Sequence, residues 1–515
     1  MQAGSLKKGR VLISILFFLL ILALFIDIRS FIPIEVHSYI LFLQFIPSVI
    51  KSTVTFTLYT TGFILIILLT LAFGRVYCSS ICPLGTLQDL FSFIYKKLKK
   101  KKDYQLLNSY KWLRYLILIA SVISIVSGSL LLINLIDPYS NFGRICSSLI
   151  KPVIILLNNS SGFLLEKVDI YYLYQIDIKG LTTLKIIFPL LFLILILVMV
   201  LKGRLFCNMI CPVGALLGIV SKISLFRISI KGEKCKGCRL CERVCKAGCI
   251  DRINKNVDFE RCVLCFNCLT VCPSEGINYT RNFLIDKQQE TDYKKREFIT
   301  KTLIYFFSLS GIALSQVKII PKKKSKVPVY KKYPVTPPGS KSIKHFTKKC
   351  TACHLCISVC PTQVLQPSYL EYGFTGMLQP YMDYNSGFCN FDCVICSEVC
   401  PSGAIKNILA EKKKLTQLGK SKFIKENCIV ETENTACGAC SEHCPTKAVK
   451  MVPYKNIHIP EIEEKYCIGC GACEYACPVK PYKAIYVEGN YYHQIAEKPK
   501  EEKPQEADYQ EDFPF

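Results

Sequence analysis

Methionine and histidine are scarce in this chain, six of each in 515 residues. The methionines are not clustered, which weighs against a copper-rich transfer protein, where soft thioether ligands would gather. The apolar stretches hold no histidine pair of the kind that ligates haem. No catalytic acid–base pair and no substrate pocket can be read from the sequence. Acidic residues are also few, 39 against 65 basic, leaving a net charge of +26. Such an excess suggests nucleic acid. Here, however, Lys and Arg gather beside apolar runs: Lys7, Lys8 and Arg10, Lys96 to Lys102, Lys202 and Arg204, and Lys294 to Arg296. Topology signals at a membrane boundary are distributed in this way, so no nucleic-acid partner is expected.

Hydrophobic residues make up 51% of the chain, and mean hydropathy is positive. That composition indicates a membrane protein, and the length indicates three or so domains. The most informative residues are the thirty cysteines. The run Cys262-Val-Leu-Cys265-Phe-Asn-Cys268-Leu-Thr-Val-Cys272-Pro273 reads C-x2-C-x2-C-x3-C-P. At this spacing three thiolates on one loop fit three corners of a [4Fe-4S] cubane, and the fourth is carried to a neighbouring cluster. The closing proline stops the local chain.

Six motifs of this kind account for twenty-four thiols. Besides Cys262, Cys265, Cys268 and Cys272 they are Cys235, Cys238, Cys241 and Cys245; Cys350, Cys353, Cys356 and Cys360; Cys389, Cys393, Cys396 and Cys400; Cys428, Cys437, Cys440 and Cys444; and Cys467, Cys470, Cys473 and Cys477. A disulfide framework would not repeat x2-x2 spacing, and zinc ribbons use pairs of thiols rather than triplets. Six [4Fe-4S] clusters are therefore expected. By the ferredoxin pattern one takes Cys235, Cys238, Cys241 and Cys272, and its neighbour takes Cys262, Cys265, Cys268 and Cys245. Lys246 rather than proline follows Cys245, and Cys249, one helical turn on, is an alternative fourth ligand. Cys350-Thr-Ala-Cys353-His354 also matches the haem sequence C-x-x-C-H. Cys356 and Cys360 complete the ferredoxin spacing around it, which argues against haem.

Val11 to Ile28 is apolar, long enough to span a bilayer and lacks a small-residue cleavage site, so a retained helix with a cytoplasmic N-terminus is expected. Phe31 to Ile50, broken by Pro33, Glu35, His37 and Pro47, reads as an interfacial or re-entrant loop. Further spans are expected at about Ser52 to Phe73, Trp112 to Ile136 and Thr183 to Leu201. Asp137-Pro138 reads as the end of the third, followed by a semi-apolar loop. The second and fourth spans end alike, in Gly74-Arg75-x-x-Cys78-x3-Cys82-Pro83-x-Gly85 and Gly203-Arg204-x-x-Cys207-x3-Cys211-Pro212-x-Gly214. This is a parallel internal repeat, with both cysteine pairs on one face. Together Cys78, Cys82, Cys207 and Cys211 offer four thiols at the membrane surface for a seventh cluster, for Cu(I) or another soft metal, or for redox-active disulfides.

The expected fold class is an α-helical membrane domain of four spans, with a fifth further on, joined to two α+β ferredoxin-like domains. Its parts are a membrane domain at 1–228 and a two-cluster domain at 229–285, the latter with a short βαβ-like spacer. An anchor or export-like helix at 294–318 follows, with the basic pair and Phe298 of a twin-arginine signal. A Lys/Pro-rich linker at 319–345, a four-cluster domain at 346–490 and a disordered tail at 491–515 complete it.

The repeated G-R-x-x-C-x3-C-P motif, the four spans and the trailing ferredoxin motifs resemble the NapH/MauN family of membrane iron–sulfur proteins. Residues after Lys294 resemble its usual companion, the NapG/MauM family, here fused in the same chain. The resemblance implies a relay in the bacterial inner membrane. Electrons would pass from quinol to an extracytoplasmic reductase or cytochrome in anaerobic respiration, with the C-terminal clusters outside. Glu35, His37, Asp137 and Glu166 are candidate proton acceptors for quinol by position. Two other readings use the same residues: copper handling or metallocentre assembly through the C-x3-C-P thiols, and an iron–sulfur redox sensor.

Overall fold

The computed structural model describes residues 3–28, 31–53, 61–99, 104, 110–169, 171–180, 183–251, 253–281 and 327–498. The export-like segment from Lys294 to Val317 lies outside them, as does the tail beyond residue 498. The first part is helical. Helix α1 (Ala3–Ile26) is followed by two short helices, α2 (Ile34–Leu41) and α3 (Phe45–Ser52). Next come α4 (Gly62–Phe73), α5 (Val76–Ser80) and α6 (Pro83–Lys99). The second half repeats the plan with α7 (Lys111–Val126), α8 (Leu131–Ile136), α9 (Pro138–Ile145), α10 (Lys151–Glu166), α11 (Thr183–Val200) and α12 (Pro212–Ser221). A π-helical turn (Cys146–Ile150) joins α9 to α10, and another (Phe206–Ile210) stands where α5 stands in the first half.

Among the described residues two stretches are long and apolar enough to cross a membrane, Gly4–Ile26 and Pro138–Glu166. The second corrects the expected loop. Asp137 ends one helix and opens the next: its N–H donates to the Ile133 carbonyl at 2.7 Å, closing α8, and its carboxylate accepts from the Ser140 amide at 2.8 Å, with Pro138 at the first helical position of α9. There the missing N–H costs nothing and the ring presets φ. Of the other expected spans, the third is broken between Val126 and Leu131, and the fourth is continuous through Pro189. Helix α4 is described only from Gly62. Leu12, Leu16 and Leu19 of α1, Ile123 and Val126 of α7, and Leu191 and Val198 of α11 face outward, exposed. An apolar exterior of this extent suits lipid rather than water. Inside, Phe25 and Phe18 pack edge-on against Phe142 at centroid distances of 6.4 and 5.5 Å.

The first ferredoxin-like domain is closed by antiparallel strands Phe226–Ile230 and Ile277–Arg281. Between its two motifs the expected βαβ-like spacer is a two-residue-deep antiparallel hairpin, Ile250–Asp251 with Asn256–Val257; the four residues that join its strands cannot house a crossover helix. The second domain is held by Thr416–Phe423 against Ile485–Ile495 and by two further antiparallel pairs. It begins earlier than its composition indicates. Val335, Thr336 and Ser340 of the Lys/Pro-rich stretch are buried, and Tyr491 to Ile495 extend the last strand rather than the tail. Edge pairing needs only backbone groups, so a polar composition did not prevent either.

The two domains sit at opposite ends of the helices. Arg10, near the start of α1, reaches Asp89, which also binds Lys246 of the first domain, both at 3.0 Å. Phe25, fifteen residues on and about 22 Å along the axis, receives the Ser358 hydroxyl of the second domain on its carbonyl. Likewise Gln366 of the second domain meets Lys185 at the start of α11 (3.1 Å), and the Lys246 carbonyl of the first accepts from Arg204 N just past its end (2.8 Å).

Candidate metal centre

All thirty cysteines are free thiols. Among the described residues no three Cys, His, Asp or Glu side chains close tightly enough for a single metal ion. The thiols stand instead around small cavities. One is lined by Cys235, Cys238, Cys241 and Cys272, another by Cys245, Cys249, Cys262, Cys265 and Cys268, a third by Cys360, Cys389, Cys393 and Cys396. In each, a thiol from one motif joins three from the next. The same exchange governs the rest. Cys400 acts electrostatically on Cys350, Cys353 and Cys356, Cys444 on Cys467, Cys470 and Cys473, and Cys477 on Cys428 and Cys440.

Loop geometry explains why the spacing works. In four motifs the residues flanking the middle thiol are both left-handed: Gly237 and Arg239, Leu264 and Phe266, Ala352 and His354, Gly469 and Gly471. Non-glycine residues there cost roughly 1–2 kcal/mol each. The conformation turns successive N–H groups inward, forming a concavity suited to an anionic cluster. The residues therefore fit [4Fe-4S] groups. The two irregular motifs lack the pattern, since Val394 and Gly438 have φ of −123° and −122°. At the second cluster Cys245 and Cys249 lie 3.5 Å apart. A hydrogen bond with Cys249 holds the Cys245 thiol below its ordinary value against burial. His354 is no haem ligand here. It is buried with Nε2 on the Leu378 carbonyl at 2.8 Å.

The four C-x3-C-P thiols are brought together, but inside the protein rather than at its surface. Cys78 and Cys82 are 4% exposed, Cys207 and Cys211 5%. Cys82 lies within electrostatic reach of Cys207 and Cys78, and Cys211 within reach of all three others. Each second cysteine precedes a helix that opens with proline, α6 or α12, and the Gly214 amide donates to Cys211 Sγ at 3.3 Å. Helix N-termini favour thiolates.

The arginines cross between repeats. Arg75 donates to the Cys207 carbonyl (3.0 Å), the Asn208 side chain (2.9 Å) and the Glu260 carbonyl (3.0 Å), and its Nη2 lies 3.7 Å from Cys78 Sγ. Arg204 donates back, to the Cys78 carbonyl and to Gly85 O at 3.0 Å. The glycines make room. A Cβ on Gly214 would lie 2.2 Å from the Cys207 carbonyl, and one on Gly85 2.4 Å from that of Cys78. Gly74 and Gly203 share a left-handed φ of 91° and 97°, where the chain turns against the first domain. Arg204 is neutralised by Asp89 at 2.9 Å. Arg75 is fully buried, and among the described residues no carboxylate pairs with it; its electrostatic partners are Cys78, Cys207 and Cys211. A buried cation needs negative charge, and here only the thiols can supply it.

Toward the second domain the thiols are followed by Tyr77, within reach of Cys82 and Asp137. Tyr139 comes next, its buried hydroxyl unpartnered and within reach of Cys353 and Cys400. Toward the first domain Phe259 and Leu264, beside the second cluster loop, press on Gly74. The candidate proton acceptors do not converge. Glu35 and Glu166 are exposed, and buried His37 bonds the Pro33 carbonyl at 3.3 Å. Asp137 is spent on its cap. The crossing of Arg75 was not legible in the sequence, although the Gly-Arg repeated at both helix ends marked it.

Two stretches, 55–102 and 185–231, match the family described as "4Fe-4S binding domain", and two more, 333–404 and 435–480, match "4Fe-4S dicluster domain". Among curated relatives, the chain is 25% identical over 233 residues to "Ferredoxin-type protein NapH" of Escherichia coli, covering 44% of this chain and 68% of that protein. These likenesses support a NapH-type, ferredoxin-like iron–sulfur protein. An uncharacterized protein of Methanocaldococcus jannaschii is 28% identical over 222 residues, 42% of this chain and 69% of the relative. Protein NirI of Paracoccus denitrificans is 40% identical over a shorter 77 residues, 14% and 11% of the two chains. No solved structure matches. The four-cysteine motifs of the second domain, Cys428 aside, thus lie in stretches that match a 4Fe-4S dicluster domain, the matches at 55–102 and 185–231 hold the C-x3-C-P pairs, and the NapH likeness spans less than half of the chain.

Proposed function

We propose that this protein carries electrons through a bacterial inner membrane, using six [4Fe-4S] clusters in two domains on opposite sides and the four buried C-x3-C-P thiols between them. This reading puts the N-terminus and first domain in the cytoplasm, which the basic residues beside the helix ends support. The second domain lies outside and hands electrons to a reductase or cytochrome, with quinol as donor. The supporting observation is position. Cys78, Cys82, Cys207 and Cys211 lie between the loop at Cys262 on one side and Cys353 on the other, with Arg75 and both helix N-termini turned toward them. Iron–sulfur centres move one electron at a time, and bound there a cluster or soft metal would supply the missing step. The chain's own residues hold and compensate its charge. Anaerobic respiration is the setting this reading proposes.

The test is vesicle reconstitution. With the second domain outward and a quinol in the bilayer, its clusters should bleach in the wild type. In Cys82→Ala or Cys211→Ala an electron donor enclosed with the first domain should no longer reach them, while iron in the ferredoxin motifs is retained. Unchanged transfer in both variants would remove the thiols from the path. Metal analysis showing copper in place of iron at these thiols would favour metallocentre handling.

A further inference from the structure

A cavity of about 130 Å³ lies where the second domain meets the helix ends. Its lining is part apolar, from Ile155 of α10, Ile178 and Leu365, and part polar, with three cations, Lys151, Lys179 and Lys185, among it. Among the described residues these ammonium groups bond only to carbonyl, hydroxyl and amide oxygens. Lys151 reaches the Asp27 carbonyl (3.4 Å) and Ser358, and Lys185 reaches the Gln366 amide oxygen at 3.1 Å. Cys360 lines this cavity and also the adjoining one with Cys389, Cys393 and Cys396. The pocket therefore abuts a cluster ligand directly.

We infer that this cavity takes the ring of a quinol, entering from the bilayer beside α10 and α11; this rests on the donor reading above. An engineered apolar cavity of about 150 Å³ holds one benzene ring, so the volume suits one ring of the headgroup. A pocket that combines apolar side chains with placed polar groups describes a small-molecule site, and the lysines are placed to hydrogen-bond the ring oxygens. An anionic lipid headgroup would engage the same lysines. It would leave the isoleucine wall and the neighbouring cluster thiol without a role, and the quinol uses all three. Oxidation of one quinol to quinone releases two electrons and two protons. The electrons pass singly to the oxidised cluster that Cys360 helps to hold, which must pass on the first before taking the second. The protons leave to the outer solvent.

The experiment uses the full chain in nanodiscs of zwitterionic lipid. An azido-naphthoquinone is photocrosslinked and mapped by mass spectrometry, and menadiol-driven cluster bleaching is followed in parallel. Crosslinks should fall within 147–155, 176–185 and 357–366. Ile155→Trp, which fills the cavity, and Lys185→Gln should each lower crosslinking and raise the KM for menadiol about tenfold or more. Reduction by dithionite and iron content should not change. Bleaching by menadiol that neither variant alters overturns the pocket and leaves the donor reading standing. Crosslinking at these residues without any bleaching overturns the donor reading and leaves the pocket. Displacement of the label by phosphatidylglycerol, with wild-type bleaching unaffected, assigns the cavity to lipid and overturns the quinol.

Discussion

Arg75 of the first cysteine repeat donates to the backbone carbonyl of Cys207 in the second at 3.0 Å, so each half of the helical domain completes the other's thiol site. Removing the guanidinium strips a buried site of its compensating charge. Arg75→Gln should cost 3–5 kcal/mol, the range for breaking a buried charged partnership. It should also lower iron from about 28 to about 24 atoms per chain if the thiols hold a seventh cluster. Iron analysis of anaerobically purified protein decides this. A variant with full iron and unaltered spectra would separate Arg75 from the metal.

Asp89 joins α6 to three cations, Arg10, Arg204 and Lys246. Burial pushes its carboxyl up, but Arg204, Lys246 and Arg10 outweigh this and hold it well below the usual range. The stability it contributes is complete above the ordinary carboxylate pKa of about 4 and falls away as pH drops below it. Asp89→Asn should destabilise by several kcal/mol and loosen the first domain, as three buried cations lose one anion. Limited proteolysis near 226–281, compared between wild type and variant, is the measurement; equal protection would count against the junction.

Gly143 packs so closely on the second domain that a Cβ would lie 2.3 Å from the Cys353 carbonyl. Gly143→Val should displace that domain, slowing electron transfer from the membrane thiols to the outer clusters while leaving cluster assembly intact. Freeze-quench spectroscopy of each cluster pool would reveal it. Wild-type rates in the variant would mean that electrons do not enter by Cys353.

His493 is held neutral by burial, its pKa lowered to about 4, and its Nε2 lies 2.7 Å from Thr336 Oγ1. The unfolded chain binds this proton from about pH 6.5 downward. Stability should therefore be full above that and decline as pH falls from 6.5 to 4, by on the order of 1–3 kcal/mol. His493→Gln should flatten this part of the pH profile of thermal unfolding; an unchanged slope would assign it elsewhere.

The clusters were legible in the cysteine spacing because a cubane imposes its geometry on one short loop, and local spacing is what a sequence records. The apolar run of α1 and the repeat of Gly74-Arg75 at Gly203-Arg204 were legible for the same local reason. Asp137-Pro138 was legible as a helix end, and Asp137 does close α8, but that the same two residues also begin α9 shows only in its packing against α1 and α6. Val335 and Tyr491 were read as linker and tail because backbone pairing leaves no mark on composition. Nothing along the chain states that Arg75 crosses to Cys207, or that Lys151, Lys185 and Cys360 share one cavity. Those relations join residues more than a hundred positions apart, and they exist only once burial and charge have brought the helices together.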